Sequence, residues 1–373
     1  MTVTLTINGQ TVTAPEGSTI LEAARGAGIR IPTLCHHPDL SNVGACRMCV
    51  VSVEKARGLQ TACTTPVAEG MVVDTESEEA RATRRFVLAM LLSDHPNDCM
   101  RCEANGDCEL QNLIYEYDVE YPQHSGARHE YPMDGDPNPL ILVDRNKCIL
   151  CGRCIRACEE IQVRRVWSFA YRGFKTKLVA GTDQPLLEAR CESCGQCVAY
   201  CPVGALYDKM SVGRGRATQL KKVRTTCPYC GVGCNFDLNV RDGRIVRVTS
   251  APDAPVNGMA LCVKGRYGYD FVHHPDRLRR PMVRRYLLDG KKKPRPGNRR
   301  SPAENSPWAW VEVDWDTALD ITARRLGEIR DTCGGDGIGL LASAKCLNEE
   351  NYLMNKLARQ VIGTNNIDHC ARL

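Results

Sequence analysis

The chain has 373 residues, 22 cysteines and a formal charge of +5. That length holds two to four domains. So many cysteines would signal disulfides in a short secreted chain. Here they fall in ligand-spaced clusters, which points to metal and a reducing, cytoplasmic compartment. No apolar stretch approaches 18 residues, and no basic or apolar leader pattern opens the chain, so neither a membrane span nor export is expected.

Residues 1–75 open with Val3, Leu5 and Ile7 alternating with threonines, the pattern of a half-buried strand. Asn8-Gly9 is a hairpin turn signal, and Thr19 to Glu22 fits a capping box before a short helix that ends near Gly28. Cys35, Cys46, Cys49 and Cys63 follow as C-x10-C-x2-C-x13-C. Loop cysteines converging after a hairpin and a helix suit a [2Fe–2S] cluster, although the spacing differs from the plant-type C-x4-C-x2-C form. A structural zinc site is the alternative.

In residues 76–140, positions 77–92 read as a helix with Ala80, Val87, Met90 and Leu91 on its apolar face and Arg81, Arg84 and Arg85 outside. Then come His95, Cys99, Cys102 and Cys108, as H-x3-C-x2-C-x5-C. His95 is the one nearby candidate for a fourth ligand. The reading is a [4Fe–4S] cluster with one histidine and three cysteines, and a zinc knuckle uses the same donors. Pro122 to Pro139 reads as a loop.

Residues 141–215 carry the strongest signal. Cys148, Cys151, Cys154 and Cys158 stand at C-x2-C-x2-C-x3-C, and Cys191, Cys194, Cys197 and Cys201 repeat the spacing, closed by Pro202. This is the two-cluster ferredoxin pattern, in which the fourth cysteine of each run completes the other run's [4Fe–4S] cluster. Ile141 to Val143 reads as a strand. The stretch from Val163 to Trp167 suggests small strands covering the pair, with Trp167 and Phe169 as shielding core.

Within 216–275, Cys227, Cys230, Cys234 and Cys262 give C-x2-C-x3-C-x27-C, with a hairpin turning at Arg241-Asp242-Gly243 between the third and fourth. One more [4Fe–4S] cluster fits. Lys264 stands two residues beyond Cys262, as a surface lysine or as a cation that stabilises charge near the cluster. Cys333, Cys346 and Cys370 have no spaced partner. In 276–373, a basic run from Arg277 to Arg300 reads as a solvated loop or insertion; an RNA-binding segment is the alternative, though there is little aromatic interleaving to support it. Trp315 to Arg330 is an expected helix, Ile338 to Leu341 a strand and Glu349 to Val361 a helix. Together they make roughly one α/β unit.

The ordered motifs resemble the alpha subunit of complex NAD-dependent formate dehydrogenases. The front half is also similar to the large iron–sulfur subunit of respiratory NADH dehydrogenase. The specific stretches are Leu261 to Arg266, Ser343 to Tyr352 and Gly363 to Leu373. The resemblance implies an α+β multidomain fold: a plant-type [2Fe–2S] ferredoxin-like domain, a histidine-ligated [4Fe–4S] domain, a bacterial two-cluster ferredoxin-like domain and the start of a molybdopterin oxidoreductase domain. It places Lys264 between a cluster and a pterin of bis-molybdopterin guanine dinucleotide holding molybdenum or tungsten, as an electron relay, with Ser343 among the pterin-binding residues. It also places Leu373 one residue before a selenocysteine or cysteine that ligates the metal, which makes the chain an expected fragment unable to oxidise formate alone. Cys370 is not that ligand.

For the full-length complex, the resemblance implies interconversion of formate and CO2, with electrons passing through five clusters to an FMN-bearing subunit and NAD(P). A small [2Fe–2S] thioredoxin-like subunit and a ferredoxin are further implied partners. The rival is a non-catalytic iron–sulfur electron-transfer subunit of an NADH dehydrogenase-like or NAD-linked hydrogenase complex.

Overall fold

The computed structural model describes every residue except 123–125, 292, 294–302 and 371–373, and the Cys370 side chain is also outside the description. Parts of the expected proline-rich loop, the basic run and the final stretch therefore lie outside the described residues. The chain divides into two compact units. The first is Met1–Thr225 with Asn235–Tyr269, and the second is Thr226–Cys234 with Asp270–Leu373.

The first unit begins with β1 (Thr2–Ile7) and β2 (Gln10–Pro15). Asn8 and Gly9 both adopt positive φ, as the two-residue hairpin turn requires. The Thr19–Glu22 capping box starts α1 (Ile20–Gly26). Three further strands, β3 (Val50–Val53), β4 (Gln60–Thr61) and β5 (Val72–Asp74), complete a five-stranded sheet ordered β2-β1-β5-β3-β4, with β5 parallel to β1. Leu5, Ile7, Ile20, Leu21 and Val51 form its core together with Cys49 and Cys63.

Ser77 caps α2 (Glu78–Asp94), which is followed by α3 (Glu109–Glu116). The expected face of α2 needs correcting. Its buried stripe is Ala80, Arg84, Leu88 and Leu92, while Met90 is 54% exposed. Arg84 points inward because its guanidinium donates to the Val50 and Thr75 carbonyls at 2.8 Å each and to the Tyr117 hydroxyl at 2.9 Å. The buried charge is also paired, with the Glu76 carboxylate 3.2 Å from the same guanidinium.

Next come β6 (Ile141–Val143), α4 (Arg153–Arg156), the hairpin β7 (Trp167–Ala170) and β8 (Lys177–Ala180), α5 (Gln196–Tyr200) and β9 (Leu206–Asp208). β6 pairs antiparallel with β9, so the stretch carrying both cysteine runs is tied at its two ends. The strand expected from Val163 begins only at Trp167, because Val163 and Arg165 take positive φ. β10 (Lys221–Thr226), β11 (Asn235–Arg241) and β12 (Arg244–Ser250) form a three-stranded sheet with the Asp242-Gly243 turn, and α6 (Val263–Tyr267) follows.

In the second unit β13 (Met282–Arg284) is followed by α7 (Arg285–Leu288) and pairs with β14 (Trp310–Glu312). The Asp314 carboxylate accepts the Thr317 N–H at 2.7 Å and starts α8 (Trp315–Cys333). β15 (Leu340–Ser343), α9 (Asn348–Lys356) and β16 (Ile367–Cys370) form one parallel crossover around Ile338, Leu340, Ala358 and Ile362. Among the described residues no helix is long and apolar enough to cross a membrane.

Candidate metal centres

The first set lies on loops flanking the five-stranded sheet. Cys35, Cys49 and Cys63 are buried and Cys46 is half-buried. The Cys35 N–H donates to Cys46 Sγ and the Cys46 N–H to Cys35 Sγ, both at 3.4 Å. Gly44 and Arg47 have φ of +60° each, which coils the loop so that its amides turn toward the sulfurs. Hydrogen bonding from Cys46 holds the Cys35 thiol down to about 5, and Cys49 holds Cys63 at about 7. Their partners are pushed up in turn. The amide donors to Cys35 and Cys46 are what the loop offers to negative charge on sulfur.

At the second set, His95 caps the C-terminus of α2. Its Nδ1 lies 3.1 Å from the Pro96 carbonyl, which only accepts, so Nδ1 carries the proton. Nε2 is buried, has no partner among the described residues and offers its lone pair. Burial lowers the His95 pKa and keeps the ring neutral. His95, Cys99 and Cys108 line a cavity of about 690 Å³. Cys102 is buried beside Gly204, where an added Cβ would lie 2.7 Å from its sulfur. A neutral, oriented imidazole with an open nitrogen beside three cysteines fits a metal ligand.

The two matching runs fold alike. Leu150 and Gly152 in the first, and Ser193 and Gly195 in the second, all have φ between +53° and +73°. A non-glycine residue in this region costs about 1–2 kcal/mol. Strain repeated at equivalent positions marks loops wrapped around something they must enclose. Cys148, Cys151 and Cys154 line one small cavity with Cys201, which belongs to the other run. Cys158 sits close enough to Cys191, Cys194 and Cys197 to raise all three thiols. The chain therefore brings the cysteines together in crossed sets. Burial pushes Cys148 up to about 11, Cys151 to about 12 and Cys201 to about 11. Trp167 is buried and donates to Cys197, while Phe169, at 43% exposed, lines the first run's cavity.

Cys227, Cys230 and Cys234 lie on one loop of the second unit, where the Cys227 N–H donates to the Cys234 carbonyl at 2.8 Å. Cys262 is exposed at the start of α6 in the first unit, and Lys264 is exposed in that helix's first turn. Ser343 lines a cavity of about 540 Å³ in the second unit, together with Gly231, Asn351, Arg359 and His369. At the His95 set and at the Cys148 set the donors line a cavity. Among the described residues no group of three or more Cys, His, Asp or Glu side chains is arranged to hold a single metal ion.

The structure adds buried cations that the spacing of cysteines does not announce. Lys147 pairs with Asp144 at 3.1 Å and Asp98 at 3.4 Å beside the His95 set. Arg153 donates to the His36 carbonyl at 2.7 Å and pairs with Glu109 at 2.6 Å. Arg156 donates to the Cys35 and Ser41 carbonyls, and Arg266 to the Cys194 carbonyl at 3.0 Å. One signal was available: the near-repeat runs differ at Arg153 against Gln196 and at Arg156 against Ala199.

These loop-wrapped, crossed cysteine sets define an iron–sulfur oxidoreductase chain. Family models match along its length. They are a 2Fe-2S iron-sulfur cluster binding domain over residues 1–78, the iron-sulfur binding region of NADH-ubiquinone oxidoreductase-G over 84–123, and the ferredoxin-like domain of NADH-quinone oxidoreductase subunit 3 over 138–207. The molybdopterin oxidoreductase Fe4S4 domain matches 220–274 and molybdopterin oxidoreductase matches 277–373. The fold is accordingly α+β and multidomain, with [2Fe–2S] and [4Fe–4S] domains ahead of the start of a molybdopterin oxidoreductase domain.

The chain is a multidomain iron–sulfur and molybdopterin oxidoreductase chain related to NADH dehydrogenase and formate dehydrogenase. It is 38% identical over 371 residues to the NADPH-Fe(3+) oxidoreductase subunit alpha of Geobacter sulfurreducens, covering 100% of this chain and 40% of that protein. A Staphylococcus haemolyticus protein provisionally assigned as a formate dehydrogenase is 30% identical over 407 residues, covering 99% of this chain and 39% of its own length. A solved NAD+-reducing [NiFe]-hydrogenase chain superposes with a TM-score of 0.51 at 32% identity, covering 57% of this chain and 90% of that one. The chain thus spans about 40% of the length of the curated relatives it matches.

Proposed function

We propose that this chain is the electron-conducting iron–sulfur portion of an NAD(P)-linked oxidoreductase complex. The observation that carries the reading is the crossed set of Cys148, Cys151 and Cys154 with Cys201, which is the ligand exchange of a two-cluster ferredoxin. In this reading Cys35, Cys46, Cys49 and Cys63 hold a [2Fe–2S] cluster. His95, Cys99, Cys102 and Cys108 hold a [4Fe–4S] cluster, the crossed runs hold two, and Cys227, Cys230, Cys234 and Cys262 hold another. Bound clusters supply one-electron transfer. The protein supplies burial, amide hydrogen bonds to sulfur and fixed spacing. A flavin subunit that exchanges electron pairs with NAD(P) is the natural partner, and a small [2Fe–2S] subunit or a ferredoxin would be others. The relatives named for NADPH and NAD+ chemistry support this reading.

A formate dehydrogenase is the second reading, supported by the molybdopterin models over 220–373 and by the cavity at Ser343. There Lys264 would relay electrons and Ser343 would help hold a pterin guanine dinucleotide with molybdenum or tungsten in the full-length protein.

Anaerobic purification with iron, sulfide, molybdenum and tungsten analysis tests both readings. About eighteen irons per chain, from one [2Fe–2S] and four [4Fe–4S] clusters, is expected. Four or five zinc ions and no labile sulfide would overturn the conduit. A longer native protein with molybdenum or tungsten and formate activity would move the assignment to the second reading.

A further inference from the structure

We infer that Arg156 is a positioning residue that joins the first-set loop to the Cys148–Cys201 set and makes both centres easier to reduce. Its side chain is 6% exposed. One terminal nitrogen donates to the Ser41 carbonyl at 2.6 Å. The other donates to the Cys35 carbonyl at 2.6 Å and the Cys151 carbonyl at 3.2 Å. One guanidinium thus grips the backbone of a cysteine in each set. The planar fork of arginine suits this, whereas a lysine ammonium reaches the same points only as a single charge.

The surroundings show that this junction is built. Glu160, four residues on, accepts the Ser41 amide at 2.8 Å and the Ser41 hydroxyl at 2.5 Å. Leu40 packs with Ala157 and Tyr200, and the Tyr200 hydroxyl donates to Asp39 at 2.9 Å. The loop from Cys35 to Ser41 is therefore seated on the helices that carry the two runs. The second run, which shares the cysteine spacing and the positive-φ turns of the first, has Ala199 where the first has Arg156.

The charge is the second observation. Among the described residues Arg156 has no carboxylate partner, and all of its hydrogen bonds go to neutral carbonyls. A buried cation without a counter-ion is costly. Thiolate-ligated clusters on both sides would provide that counter-charge. Reduction adds one more negative charge to a centre, so a fixed cation nearby favours the reduced form. The proposal rests on the cluster reading, and iron and sulfide analysis of the wild-type chain decides that reading separately.

The test is an EPR-monitored redox titration of the cluster-loaded 373-residue chain with Arg156→Gln, Arg156→Lys and, as a surface control, Arg165→Gln. Arg156→Gln is expected to move the [2Fe–2S] midpoint and one [4Fe–4S] midpoint to more negative values together, leaving the other centres in place. Arg156→Lys is expected to recover part of that shift, and Arg165→Gln to change nothing. Should Arg156→Gln fail to load, loss of those two centres alone, with Arg156→Lys retaining them, supports the same brace. Unmoved midpoints in a fully loaded Arg156→Gln chain would overturn the proposal. So would a shift of one centre only, an equal shift of all, or general loss of iron.

Discussion

Arg84→Leu is the most direct test of how the first domain is held to the helices after it. The wild-type guanidinium is fully buried and serves the Val50 carbonyl, the Thr75 carbonyl and the Tyr117 hydroxyl. Leucine fills much of the space but donates to none of them. Each buried group left unsatisfied costs about 1–3 kcal/mol. Burying the leucine offsets about 2 kcal/mol of that total. Three groups at about 2 kcal/mol each, less that offset, leave a net loss of about 4 kcal/mol, which is roughly a thousandfold in the local opening equilibrium. Hydrogen exchange on the Ala62 and Glu54 amides reads it, because they bond the carbonyls of Cys49, next to Val50 in the chain, and of Val72 on the neighbouring strand β5. Arg84→Lys should fall between the two. Protection within threefold of wild type in a folded Arg84→Leu chain would refute the reasoning, and α2 would then be held by its leucines alone.

Four other outcomes are expected. His95→Ala should lose one cluster, about four irons of eighteen, as read by metal analysis and EPR; full retention would remove His95 from the ligands. Gly204→Ala should damage that same centre selectively, since its Cβ would come within 2.7 Å of the Cys102 sulfur, and an unchanged EPR signal would show the loop yielding freely. In a chain with Cys148, Cys151 and Cys154 changed to serine, adding Cys201→Ser should remove no further iron if the sets are crossed; loss of a second cluster would show ligation within each run. Cys148, Cys151 and Cys201 of the iron-free chain hold their protons up to about 11–12, against the ordinary 9. The unfolded chain loses those protons first as pH rises. Iron-free stability is therefore full below pH 9 and declines between 9 and about 12. The loaded chain, whose thiols are already deprotonated, should lack this decline in denaturant titrations.

What was legible in the sequence was set by how local its cause is. The Asn8-Gly9 hairpin and the Thr19–Glu22 box are chemistry within four residues, and both are present in the structure. The hairpin at Asp242-Gly243 and the long helix from Trp315 are likewise present. The short strands β4 and β5 were not readable, because two or three residues carry no period and their pairing comes from the sheet. Arg84 was misplaced for a related reason. Periodicity treats a charge as solvent-seeking, yet its burial depends on carbonyls at Val50 and Thr75, far away in sequence. The cysteine sets were legible because ligation imposes spacing on the chain. The crossing of Cys201 onto the first run came from matching the ferredoxin pattern, and the cavity it shares with Cys148 now agrees.

The distribution of buried charge links these points. Among the described residues six basic side chains are buried, Arg84, Lys147, Arg153, Arg156, Arg247 and Arg266, against three carboxylates, Asp136, Asp144 and Asp208. Charged side chains are almost never buried without a partner. Lys147, Arg153, Arg156 and Arg266 lie beside cysteine sets, and Arg156 and Arg266 bond mainly neutral oxygens. In the iron-free chain several neighbouring thiols are pushed up by burial and stay protonated, so they do not neutralise this excess. Lys147 and Arg153 already have carboxylate partners, so the counter-charge that cluster uptake on the proposed ligands would supply, by converting those thiols to anions, serves chiefly Arg156 and Arg266. Folding of the first unit and cluster loading are therefore one coupled equilibrium. In the proposed reading, the cations that brace the loops would also favour the reduced form of the centres beside them.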